Sequence, residues 1–181
     1  MGSKNVSILV YVVLLTSSLL AAQQRVDAPA TSANNPAASK NALRVSASPD
    51  HDPITVSVVD LRALPHITVT IHNSHTNADE TYSGVRVADL LGKLGAPLGN
   101  TLRGEALSKY IVATGSDGYR AVLAFAEVDP SFHPGEVIVS DTMDDKLLDE
   151  HSGPFKLVVT EDKRPARSVR NLVSIELKSL P

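Results

Sequence analysis

The strongest constraint on this chain is its alternation. In "HITVTIH" (66–72), Ile67, Val69 and Ile71 share one face of an extended strand, and His66, Thr68, Thr70 and His72 share the other, because successive strand side chains point to opposite faces. The same β-branched texture returns in "ITVSVVD" (54–60), "ETYSG" (80–84), "GEVIVSD" (135–141), "GPFKLVVTED" (153–162) and "NLVSIELKS" (171–179). "KYIVATGSDGYRAVLAF" (109–125) reads as a hairpin turning at Ser116, Asp117 and Gly118. Against these stand a short helical turn, "DLRALP" (60–65), ended by Pro65, and one principal helix, "VRVADLLGKLGA" (85–96). In that helix Val87, Leu90, Leu91 and Leu94 recur at helical spacing and Gly95 stops it. The expectation is an α+β domain over residues 51–181, with strand-dominated mixed sheets and one main helix. Such a domain is long enough to bury roughly two-thirds of its unfolded surface.

The residues before 51 have a different texture. "MGSKNVSILVYVVLLTSSLLAAQQ" runs from a lone Lys through an apolar stretch to small residues at Ala22. That order predicts a secretory signal over 1–22 and an exported protein, periplasmic or extracellular, with an uncleaved membrane anchor as the alternative. Residues 23–50, rich in Ala, Ser, Asn and Pro, predict a mobile spacer, since large apolar residues are too few to offset the entropy of ordering. Net charge is −3, aromatics are 4% and Trp is absent, so neither electrostatics nor stacking favours nucleic acid. Membrane contact is expected only through the N-terminal segment. The chain has no Cys, which excludes disulfides, zinc–thiolate sites, iron–sulfur clusters and a Cys nucleophile.

The order of "DLRALP", "YSGVRVADLLGKLGA", "GSDGYRAVLAFAEVDP" and "LDEHSGPFKLVVTEDKRPARSVRNLVSIEL" resembles the molybdopterin-binding domain of the sulfite-oxidase-type oxidoreductases. The resemblance covers most of residues 54–178, is most specific at its C-terminal end, and belongs to a short form of the domain. It implies the sulfite-oxidase molybdopterin-domain fold, oxidoreductase ancestry and an anionic pterin ligand. In the family, the turn resembling "ARSVR" supports the pterin and its phosphate, so the resemblance points to Arg167, Ser168, Val169 and Arg170. It puts His151 of "DEHSG" at a cofactor-contacting position, Lys156 where the family often carries Arg, and Asp117 at an acidic contact. It also demands a Cys as molybdenum ligand. His72 stands at that place, twelve residues before Gly84, and imidazole differs from thiolate in charge donation and metal preference. Two readings therefore stay open: a molybdopterin-binding, oxidoreductase-like domain with His72 at or near the metal, and a cofactor-free binding module for a small anionic ligand that has lost the molybdenum site.

Other clusters have both functional and ordinary readings. His66, His72 and His75 suggest a first-row metal ion, or polar residues at a strand end. Lys163, Arg164, Arg167 and Arg170 suggest an anion site, or a solvated loop paired with Glu161 and Asp162. Asp141, Asp144 and Asp145 fail the EF-hand template. Ser168 lacks a His–Asp partner in sequence. Tyr119 and Phe125 read as core positions.

Overall fold

The computed structural model describes residues 41–48 and 52–180, all within one unit that begins at Asn35. The signal segment 1–22 and most of the spacer lie outside the described residues.

The strands form two five-stranded sheets. The first contains β1 (Ala42–Ser46), β2 (Ile54–Ser57), β5 (Tyr110–Gly115), β6 (Arg120–Ala124) and β10 (Leu172–Lys178), in the order β2-β1-β10-β5-β6. Only the β1–β10 pair in it is parallel. The second contains β3 (Ile67–Asn73), β4 (Ala78–Arg86), β7 (Val137–Met143), β8 (Lys146–Leu147) and β9 (Lys156–Val159). It is antiparallel throughout, with β8 and β9 both against β7. Among the described residues two short helices, α1 (Val58–Arg62) and α2 (Val87–Gly92), join these strands with several 3-10 turns. The mixed, strand-dominated α+β expectation holds, with two short helices instead of one main helix.

Three boundaries differ from the sequence reading, each for a physical reason. The spacer ends earlier than residue 50. Leu43 and Val45 are fully buried and β1 is inserted between β2 and β10. The strand at 54–60 stops at Ser57, because Ser57 and Asp60 form a reciprocal capping box that opens α1. The helix at 85–96 starts two residues late, because Val85 and Arg86 remain in the ladder opposite Val139 and Ile138. Arg86 also grips Glu136 with two hydrogen bonds, at 2.7 and 2.8 Å.

Both sheets feed one core. Leu43, Ile111, Leu123 and Ile175 from the first meet Val85, Val139, Leu157 and α2's Leu90 and Leu91. The middle of the second sheet is buried on both faces: Ile138 and Val158 turn away from that core and join Tyr82 in a smaller cluster. At Gly84, β4 and β7 approach so closely that a Cβ would lie 2.2 Å from the Val139 carbonyl oxygen. The acidic loop is a hairpin turn. Asp144 and Asp145 both have positive φ, the two-residue geometry that matches strand twist between β7 and β8.

Candidate functional site

A cleft of about 820 Å³ opens where the end of the β3–β4 hairpin, the β5–β6 turn and the segment after β9 come together. Its floor is the outer face of the second sheet. Alternation along β9 sends Leu157 and Val159 into the main core and Lys156 and Val158 to the opposite face. Lys156 thus stands beside Tyr82, with its Nζ 4.3 Å from the ring centroid. It donates a 2.5 Å hydrogen bond to the Tyr82 hydroxyl. That hydroxyl donates to Glu80 Oε2 at 2.6 Å, and Asn73 Nδ2 donates to Glu80 Oε1 at 2.6 Å. Burial lowers the Lys156 pKa; Glu80 opposes the shift and Arg170 adds to it. Burial, and then the bond to Glu80, raise that of Tyr82, so its hydroxyl keeps its proton.

The opposite wall is held by Asn171, a residue in the left-handed region (φ 47°). Its amide N–H donates to the Ser152 carbonyl at 2.9 Å, and its side chain donates to the His151 carbonyl at 2.7 Å. Its own carbonyl accepts from the Ser116 N–H at 2.9 Å. One residue therefore ties the 151–152 turn, the β5–β6 turn and the chain at Arg170 together. Arg170 donates to His151 Nε2. Gly115 permits the approach, since a Cβ there would come within 2.9 Å of the Arg170 carbonyl oxygen. The Asp117 carboxylate accepts from the Tyr119 N–H at 2.9 Å and closes its turn. The half-exposed Tyr119 spans the wall, its hydroxyl donating to the Ala166 carbonyl at 2.7 Å. Ser168 Oγ accepts from the Val159 N–H at 3.3 Å.

Of the residues singled out in the sequence, His72, Asp117, Lys156, Ser168 and Arg170 all border this cleft, and His151 reaches it through Arg170. Val169 and Arg167 do not. Val169 is buried in the main core. Arg167 is engaged by two carboxylates: Asp162 in a bidentate pair (2.9 and 2.5 Å) and Glu127 at 3.0 Å.

His72 lies at the rim. It is paired across the hairpin with Asp79, while Ile71 is paired with Glu80. Alternation therefore puts the His72 imidazole on the face opposite Glu80 and Tyr82. There its Nδ1 lies 2.8 Å from Asp79 Oδ1, with both side chains more than half exposed. The three-histidine metal reading fails on geometry. His66 precedes β3 and lies near Asp141, six residues from His72, about 20 Å along a strand. Among the described residues no group of three His, Asp or Glu is placed to hold an ion.

The remaining expectations resolve as follows. Asp141 is buried and ion-paired to Arg62 at 3.3 Å, and Asp144 accepts from the Thr81 N–H at 3.0 Å, so the acidic loop is structural. Phe125 is core as expected, but Tyr119 is cleft wall. Tyr82, Glu80 and Asn171 went unnoticed in the sequence. A polar Glu80 in register with an apolar strand face was the available signal for the first two. An Asn directly after a cationic turn was the signal for the third.

No family model matches the chain, and no curated protein does. Among solved structures it is similar to the sulfane dehydrogenase SoxCD from Paracoccus pantotrophus, at 17% identity with a TM-score of 0.59. The likeness covers 78% of this chain and 39% of that one. It is a likeness of fold. This chain therefore shares an architecture with part of a dehydrogenase, and spans well under half of its length.

The residues present do not fit a protein-ligated molybdenum. The chain offers no thiolate, and His72, which takes the place of one in sequence, turns its imidazole away from the cleft floor. The cleft is lined by Lys156, Lys163 and Arg170 together with Glu80, Asp117, Glu161 and Asp162. Asp162 is neutralised by Arg167. Glu80 and Asp117 are committed to internal hydrogen bonds. Glu161 packs against Gly135.

Proposed function

We propose that this domain is an exported binding module of the sulfite-oxidase molybdopterin-domain type, whose cleft takes a small anionic ligand of pterin-like size without a metal bound to the protein. What carries the reading is that Lys156 and Arg170, from strand β9 and the turn before β10, line one cleft. Three cations line it, while Glu80 and Asp117 are engaged in hydrogen bonds and Asp162 in an ion pair. In a partly desolvated cleft, bonds from Arg and Lys to an oxyanion are charge-assisted and contribute roughly 1.5–3 kcal/mol each. Arg170 supplies the fork for phosphate or carboxylate oxygens, Lys156 the point charge, and Tyr119 a flat wall. Export rests on the N-terminal residues.

The fold likeness to a dehydrogenase favours a second reading, a redox-active pterin domain. Elemental analysis of protein from an exporting host, with acid release of any fluorescent oxidised pterin, separates the two. Molybdenum near one per chain overturns the metal-free reading. Calorimetry with pyrophosphate and pterin-6-carboxylate tests the anion site. Arg170→Ala is expected to weaken binding at least about tenfold. Arg164→Ala, off the cleft lining, is expected to change it less than about threefold. Equal losses would mean diffuse charge instead of a formed site.

A further inference from the structure

The cleft floor carries an amine whose surroundings suit chemistry as well as charge. We propose that Lys156 is a carbonyl-reactive amine, forming an imine with an aldehyde or 2-oxo acid whose anionic group is held by Arg170. The ligand's charged end rests on the anion-site reading above; the reactivity of the amine stands on its own surroundings.

Those surroundings differ from those of every other lysine described. Lys93, Lys146 and Lys163 are exposed, Lys178 is paired with Glu176 at 3.1 Å, and the half-buried Lys109 lies off the cleft. Lys156 is shielded, lies against the Tyr82 ring and opens on a cleft of about 820 Å³. No carboxylate touches its nitrogen directly. Its 2.5 Å contact is to the Tyr82 hydroxyl, and Glu80 is one bond further on. An ammonium paired to a carboxylate would be locked in the charged, unreactive form. Here burial disfavours that charge, with Arg170 acting the same way, and together they outweigh the opposing pull of Glu80 and Asp149, which is how lysine nucleophiles are activated.

The hydroxyl also gives the proton a route. As the ammonium passes a proton to the Tyr82 oxygen, Tyr82 passes its own to Glu80, so the phenol stays neutral throughout. The neutral Nζ then attacks the carbonyl carbon. A C–N bond forms and the carbonyl oxygen takes up a proton to give a carbinolamine. Loss of that hydroxyl with a proton as water leaves the C=N bond. The overall change is amine plus carbonyl to imine plus water, with no change of oxidation state. Arg170, on the facing wall, orients a carboxylate or phosphate on the carbonyl compound.

Reductive trapping tests this. The full chain is treated with cyanoborohydride and either glyoxylate, which is anionic, or acetaldehyde, which is neutral, and modified lysines are quantified by peptide mass spectrometry. Acetaldehyde is expected to label Lys156 at least about tenfold faster than Lys93 and Lys146. Its rate should level off at a lower pH than theirs, a readout that simple exposure does not produce. Glyoxylate should show a greater preference, which Arg170→Ala reduces to that of acetaldehyde. If acetaldehyde labels Lys156 no faster than the exposed lysines, the proposal is overturned. If acetaldehyde selects Lys156 but glyoxylate gains nothing over it, the imine stands, and the role of Arg170 fails together with the anion reading.

Discussion

Replacing Arg167 by Ala decides whether that guanidinium is a strut or a ligand-binding group. It is about one-third exposed and donates to Asp162, which is 16% exposed, at 2.9 and 2.5 Å, and to Glu127 at 3.0 Å. The Asp162 pair is bidentate and mostly shielded, so its loss costs roughly 1.5–2.5 kcal/mol. The Glu127 pair is more open and contributes roughly 0.5–1 kcal/mol. Glu127 keeps a 2.7 Å bond from the Ala124 N–H, which softens the loss on that side. The sum, about 2–3.5 kcal/mol, corresponds to a fall in Tm of roughly 6–12 °C for a domain of this size. Thermal unfolding of Arg167→Ala, with Asp162→Asn and the double variant, measures the coupling directly. Calorimetry with pyrophosphate, performed well below the unfolding transition, should show a loss of affinity much smaller than that of Arg170→Ala. Unchanged Tm together with an affinity loss equal to that of Arg170→Ala would refute the assignment. Arg167 would then be spending its charge on ligand, as the family resemblance had suggested, and its two carboxylate contacts would carry no energy.

Two further outcomes test the framework beneath the site. Gly84→Ala forces a Cβ to within 2.2 to 2.7 Å of three backbone atoms of β7, so β4 and β7 must separate; a loss of about 3 kcal/mol in urea unfolding is expected, and a loss under 1 kcal/mol would show that the approach is not needed. Burial alone would push the Asp129 carboxyl up, but hydrogen bonds from Gly99 and Ser131 outweigh it and hold its pKa below the ordinary 3.8. A depressed folded-state pKa gives stability that is present above the unfolded value and is lost as pH falls through the folded one. Asp129→Asn should therefore flatten the acid limb of the stability profile below about pH 4 and lower stability at pH 7; an unchanged acid limb refutes the assignment.

Much of the fold was legible because strand alternation is local. The β5–β6 hairpin, β7, β9 and β10 appear where Val, Ile and Leu alternate. β1 was missed because only Leu43 and Val45 mark it, in a stretch whose small polar composition reads as spacer. Its reason to be ordered is a parallel partner, β10, at the far end of the chain. The site was legible in part for the same reason. Lys156, Ser168 and Arg170 lie close together in sequence, so one motif carried all three. The partners that give Lys156 its character, Tyr82 and Glu80, come from a hairpin more than seventy residues earlier, and no local pattern announces that meeting. The assignment of Arg167 beside Arg170 failed for a subtler reason. Three residues apart in an irregular turn, two arginines need not face one way, and only the positions of Asp162 and Glu127 decide which of them is satisfied within the protein.

His72 shows how a strand decides between two chemistries. On β3 a single step in register exchanges the faces of all its side chains. Ile71 and Asn73 share the face that carries Glu80, Tyr82 and Lys156; His72 shares the other with Thr70 and Thr68. Replacing His72 by Cys would therefore put a thiol on the face opposite the cleft floor, beside Asp79, and would not by itself build a metal ligand over that floor. A metal aimed at Lys156 and Arg170 needs its protein ligand from Ile71, Asn73 or the residues of the turn beyond. The chemistry available on that floor is that of Lys156, Tyr82 and Glu80: an amine, a neutral phenol and a carboxylate in series, with Arg170 opposite.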